Sequence, residues 1–135
     1  MSHENADNAR AMLERWTAGD RSAETIARYC APTIELRSPF SSVIGEPYRG
    51  YTGVERWSRD IDDQFAEWSI LVDEVRQEGD RVLILSTVEV RGRVSDLAMS
   101  FAAAATFEFG TDHRVTALRI YSDVQEALDA LRSQD

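Results

Sequence analysis

One cysteine and two histidines are the only thiol and imidazole groups in this 135-residue sequence. Cys30, His3 and His113 are widely separated and match no metal-ligand spacing, so no metal centre is expected. A lone cysteine cannot form an internal disulfide, which fits a reducing, cytoplasmic setting. Long apolar runs are also missing. None approaches the roughly 20 residues of a membrane span, and the opening MSHENADNAR has no apolar core of the secretory type. Basic charge is scarce: 15 basic residues face 24 acidic ones, for a formal charge of −9. Nucleic acid and anionic membrane surfaces require a basic face, so neither is expected as a partner. GEPYRGYTG has glycines but lacks the Lys-Ser/Thr of a phosphate loop. No cofactor is therefore expected. No repeat, low-complexity tract or linker breaks the chain, and one domain over 1–135 is expected.

The pattern of apolar residues is clear. Ala9, Met12, Leu13 and Trp16 share one helical face within 4–18, and AGD closes that helix with a glycine. A second helix is predicted over 21–30, closed by Pro32, and then a short strand over 33–38. After a loop rich in glycine and proline, Thr52 and Glu55 match a capping box. Val54, Trp57, Ile61, Phe65 and Trp68 follow at helical spacing, opposite a charged face. Strands are predicted over 69–77, 81–93, 97–109 and 114–121, joined by turns short enough for antiparallel hairpins. Ser122 and Gln125 could cap a last helix carrying Val124, Leu128 and Leu131. The order α-α-β-α-β-β-β-β-α points to an α+β domain with helices gathered on one face of a curved, antiparallel-rich sheet.

One stretch conflicts with its surroundings. SFAAAATFEFG puts four alanines, the best helix formers, inside a predicted strand. As a strand, it places Phe101, Ala103, Ala105, Phe107 and Phe109 on one face and Ala102, Ala104, Thr106 and Glu108 on the other.

In this order, YRGYTGVERW, GDRVLIL, TFEFGTDHRV and RIYSDVQEALDAL resemble the SnoaL-like polyketide cyclase family of the nuclear transport factor 2-like superfamily. The resemblance implies a cone. Three helices would pack on the concave face of the bent sheet around an apolar pocket, and a short C-terminal helix would follow. It also implies a homodimer through the outer face, where Leu83, Leu85, Thr87, Ala102, Ala104 and Thr106 are expected. Ala103 and Ala105 would then leave room for a ligand, or bulky neighbours would fill that room.

The ketosteroid isomerase set of the superfamily is absent. Its base, tyrosine and acid positions correspond to Ser38, Met12 and Ala105. The epoxide hydrolase set is also missing, since the last strand reads Arg119-Ile120-Tyr121 without an aspartate. No catalytic residue is assigned. Pocket candidates are Met12, Trp16, Ser38, Trp57, Ile61, Ser86, Val88, Ala103, Ala105, Phe107, Arg119 and Tyr121. Two readings of the last strand stay open. The family pattern turns Arg119 and Tyr121 inward, whereas plain alternation buries Leu118 and Ile120 and leaves Arg119 at the surface. The expected ligand is a small apolar or aromatic molecule, neutral or anionic, bound by an isomerase- or cyclase-type enzyme or by a non-catalytic carrier or interaction module.

Overall fold

The computed structural model describes residues 4–38, 46–94 and 97–132. His3 and residues 39–45, which include the start of the glycine- and proline-rich stretch read as a loop, lie outside them. Helix α1 (Glu4–Thr17) buries the predicted face of Ala9, Met12, Leu13 and Trp16. It stops in a Schellman arrangement. Gly19 adopts φ 92°, its N–H bonds the Trp16 carbonyl, and the Asp20 N–H bonds that of Arg15. Helix α2 (Ala23–Tyr29) begins where the Ser22 hydroxyl accepts the Thr25 N–H.

The structure corrects the expected boundaries after α2. That helix ends at Tyr29, and strand β1 (Cys30–Arg37) starts at once with Pro32 inside it. The ladder shifts register between Cys30 and Glu35, so a residue without an N–H is tolerated there. Strand β2 (Tyr48–Arg49) is too short to show any periodicity. Helix α3 (Gly50–Gln64) has Arg49 at its N-cap without a side-chain bond, so Thr52 does not cap it. Phe65 and Trp68 keep the helical spacing but belong to β3 (Phe65–Glu78). The Phe65 N–H still bonds Ile61 while its own backbone is already extended.

Strands β4 (Arg81–Gly92), β5 (Ala98–Phe109) and β6 (Val115–Tyr121) lie close to their predicted ranges, and α4 (Val124–Arg132) follows. Asp123, rather than Ser122, accepts the Gln125 N–H at its start. The alanine run is strand: Ala102 to Ala105 face Thr87 to Ile84 across β4. The sheet order is β2-β1-β6-β5-β4-β3, antiparallel except for the parallel β1–β6 pair.

Helices α1, α2 and α3 cover the inner face, where their apolar stripes meet Val82, Ile84, Phe107 and Leu118. Helix α4 lies on the outer face, setting Ala127 and Leu131 on Leu83, Ala104 and Tyr121. The Arg81 guanidinium also donates to the Ala130 carbonyl. The outer face expected to be open is therefore partly filled by the chain itself. The small side chain of Ala104 admits a helix of the same molecule. The β5–β6 turn is likewise tied down. His113 has its Nδ1 2.9 Å from Asn5 Oδ1, and its carbonyl accepts from Asn8.

Gly53 lies inside α3, where replacement by alanine would ordinarily gain about 1 kcal/mol. A Cβ there would stand 2.8 Å from the backbone carbonyl carbon of Tyr48. Gly53→Ala is predicted to lose about 1–3 kcal/mol through that overlap, measured by urea unfolding. A gain in stability would show that the β2–α3 junction is looser than described.

Candidate functional site

A pocket of about 320 Å3 opens between α3 and the inner face of the sheet. The strand register builds its floor. Ile70, Val88 and Phe101 form one cross-strand row, and Trp68 and Val90 belong to the next. Ala103 stands two residues beyond Phe101 on β5, and its single methyl leaves the volume that a larger side chain would fill. Helix α3 adds Trp57 and Ile61 as one wall, with Phe65 at its end. The ends of two neighbouring strands close the far side, with Ser38 from β1 and Ile120, Tyr121 and Ser122 from β6. Phe101 stays 43% exposed and marks the mouth.

The aromatic wall is held from behind. Trp68 donates its indole N–H to Asp62 at 2.9 Å, and Arg21 bonds the same oxygen at 2.8 Å. The Arg21 guanidinium also lies 4.2 Å from the Trp68 ring centroid. The one polar atom of Trp68 is therefore satisfied on its α3 side. Trp57 packs edge-on to Trp68 at 6.0 Å and against Trp16 at 5.2 Å. The indole N–H groups of Trp16 and Trp57 are buried without a hydrogen-bond partner among the described residues. Each such group carries a desolvation cost of about 1–3 kcal/mol, which the packing of the tryptophan cluster must offset.

Six of the sequence candidates line this pocket: Ser38, Trp57, Ile61, Val88, Ala103 and Tyr121. Met12, Trp16, Ala105 and Phe107 belong to the core around it. Met12 is sealed in and accepts from the Cys30 thiol at 3.8 Å, and Phe107 stacks on Phe109. Burial pushes that thiol up to about 12, so it stays protonated and unreactive. Ser86 turns its hydroxyl to the Ala103 carbonyl at 3.4 Å and is not part of the lining.

Arg119 is a correction. It is exposed and faces Thr106 across β6–β5 on the outer side, with its guanidinium 4.9 Å from the Tyr121 ring centroid. Leu118 and Ile120, on the other parity, turn inward. Tyr121 shares the outer parity of Arg119 but sits at the strand end, where it touches both this pocket and a hollow on the outer face. Phe65, Trp68, Ile70, Val90, Ile120 and Ser122 were missed as lining. Alternation from Phe101 through the β4–β5 hairpin would have found Val90 and Ile70, but Trp68 was hidden by its helical spacing.

The chemistry of the lining is uniform. Among the described residues it contains no carboxylate, imidazole, thiol or guanidinium; its polar side chains are Ser38, Tyr121 and Ser122, apart from the indoles. The residues following Ser38, PFSSVIG, carry no ionisable side chain either. No group of His, Cys, Asp and Glu suited to a metal is found among the described residues, and no described helix is long and apolar enough to cross a membrane.

Comparison with known proteins matches the SnoaL-like domain family over residues 9–118. No curated protein matches the chain. Among solved structures, an NTF2-like protein of unknown function from Burkholderia pseudomallei superposes with a TM-score of 0.79 at 20% identity, over 98% of this chain and 100% of that one. TerC, co-crystallised with polyporic acid, gives 0.76 at 18% identity, over 96% and 99%. A putative SnoaL-like polyketide cyclase from Jannaschia sp. CCS1 gives 0.76 at 15% identity, over 98% and 94%. At these identities the structural likenesses establish the NTF2-like fold alone.

Asp62 links the pocket wall to pH. Burial raises its pKa, but the Trp68 N–H and Arg21 outweigh this and hold it below the ordinary 3.8. A depressed carboxyl stabilises the fold above its unfolded pKa and loses that contribution as pH falls through the folded value. Asp62→Asn is therefore predicted to cost less than about 1 kcal/mol at pH 7, because the side chain is 45% exposed. The difference from wild type should shrink below pH ~4. Urea unfolding at both pH values checks this; a difference independent of pH would assign the role of Asp62 to packing.

Proposed function

Because the chain belongs to the SnoaL-like domain family, we propose that it binds one small, neutral, apolar or aromatic molecule in the pocket beneath α3, as a carrier or receptor. The observation that carries this reading is the lining: a volume of about 320 Å3 walled by Trp57, Trp68, Phe101 and aliphatic side chains. That volume lies within the usual range of small-molecule sites. Each 100 Å2 of apolar ligand surface removed from water there is worth roughly 2.5 kcal/mol.

Charge decides between neutral and anionic ligands. A carboxylate or phenolate placed against this wall would lose its hydration and meet no counter-charge, which is costly. Arg119, the cation that would have favoured an acidic ligand, lies on the opposite face. The lining likewise supports binding over acid–base catalysis. Abstracting a proton next to a carbonyl needs a base of suitable pKa within hydrogen-bond reach, and Ser38, which stands at the position matching the ketosteroid isomerase base, has no such basicity.

Two fluorescent probes of nearly the same shape test the reading. N-phenyl-1-naphthylamine is neutral, and 1-anilinonaphthalene-8-sulfonate adds a sulfonate. The neutral probe is predicted to bind at least about tenfold more tightly, a difference of about 1.4 kcal/mol. Ala103→Trp should remove its binding while the protein keeps its circular dichroism and melting transition. Equal affinities, or neutral-probe binding unchanged by Ala103→Trp, would contradict the proposal.

We also propose a homodimer through the part of the outer face that α4 leaves free. Leu71, 47% exposed, continues there across β4 to Thr87 and Ala102. Light scattering at tens of micromolar is predicted to give twice the chain mass of 15.2 kDa; a monomer would reject it.

A further inference from the structure

The outer face carries a second hollow, of about 420 Å3, bounded by β1, β6, β5, the start of β4 and α4. Its chemistry is opposite to that of the inner pocket. Arg37 and Arg119 are register partners on the parallel β1–β6 pair, so both side chains rise from neighbouring positions on the same face and border the hollow. Like charges directly across a ladder destabilise it, and Glu35 offsets this pair only in part. Glu35 is shared between Arg37 at 3.9 Å and Arg49 at 3.7 Å. Arg119 forms no ion pair among the described residues; its guanidinium is held over the Tyr121 ring instead. Arg81, anchored on the Ala130 carbonyl, adds a third guanidinium at the α4 side. Glu108 is the remaining carboxylate of the rim among the described residues.

The balance is unusual for this chain. Among the described residues, three arginines meet two glutamates in the hollow, on a molecule whose formal charge is −9. All 15 basic residues of the sequence are arginine, whose planar fork suits oxyanions geometrically. The floor beneath them is low: Ala117 and Thr106 project little, which leaves room above the sheet. A cation already fixed against an aromatic ring loses little side-chain freedom when an anion arrives.

We propose that this hollow is a binding site for a small oxyanion, a carboxylate or phosphate group held in a fork by Arg119 and Arg37. Arg81 supplies long-range attraction, and Glu108 limits affinity. The site opens on the opposite face of the sheet from the apolar pocket, and Tyr121 is the residue common to both.

The test uses the arginine Nε–Hε resonances of the 15N-labelled protein at low ionic strength. Inorganic phosphate and succinate are titrated separately to distinguish the two oxyanion sources, with succinamide as the uncharged control. The proposal predicts saturable shifts at Arg119 and Arg37 with at least one of the two anions and none with succinamide. Arg119→Met, which keeps an aliphatic stem, should weaken binding at least about tenfold. Arg76→Met, on an exposed ion pair elsewhere, should leave it unchanged. Glu108→Gln should tighten binding severalfold, a gain that a purely structural role for the cluster would not give. Linear, unsaturable shifts with both anions would overturn the proposal, as would affinity unchanged in Arg119→Met. Shifts at Arg119 that follow protein concentration rather than added anion would also overturn it and assign the hollow to a second copy of the chain.

Discussion

The antiparallel pairing of β5 with β6 sets the character of both faces of this protein. Ala105 faces Ile120 and Phe107 faces Leu118, so the apolar residues of β6 point under the helices. Thr106 faces Arg119 and Ala104 faces Tyr121, so the polar ones point away. A slip of one residue would exchange the two sets. It would place a guanidinium in the inner pocket and two aliphatic side chains beneath solvent. The buried residues of β6, Val115, Leu118 and Tyr121, are therefore three apart rather than alternating: Leu118 follows from this register, Val115 lies beyond the register shift at Glu108–Phe109, and α4 covers Tyr121 at the strand end.

The two faces then acquire different chemistry from the same strands. Inside, the row Ile70–Val88–Phe101 and the tryptophan wall exclude charge, and the methyl of Ala103 leaves space. Outside, the same β5 is lined by Ala104, which seats α4, and by Thr106 and Glu108, which border an arginine cluster. Two of the four alanines thus serve opposite faces. Ala103 keeps a pocket open, and Ala104 lets a helix approach closely. Ala105 does neither and packs in the core among larger neighbours. The polar support of the inner wall is kept at a distance: Asp62 and Arg21 hold Trp68 from the helix side.

Much of this was legible in the sequence where one periodicity dominated. The stripe Ala9, Met12, Leu13 and Trp16 gave α1, and the turn residues between apolar runs marked β4, β5 and β6 closely. Errors arose where a pattern continued across a change of structure. Phe65 and Trp68 prolong the spacing of α3, yet the chain is already extended there, and the pocket wall was misplaced with them. Proline is an unreliable stop signal when a bulge can accommodate it, as at Pro32. Arg119 shows the limit of family likeness. Alternation of apolar and polar residues along β6 placed it correctly, whereas the family pattern turned it inward. Nothing local in the sequence announced that α4 would return to cover Leu83 and Ala104, because that contact joins segments far apart in the chain.

The central claim is that the inner face keeps an apolar volume open to a neutral guest. Diffraction from crystals pressurised with xenon tests it most directly, since xenon enters apolar cavities and makes no use of charge or hydrogen bonds. The account predicts xenon density bounded by Trp57, Trp68, Val88 and Ala103, displaced in Ala103→Trp. A close-packed interior with no xenon at that place, or ordered water hydrogen-bonded to the lining in its stead, would contradict it.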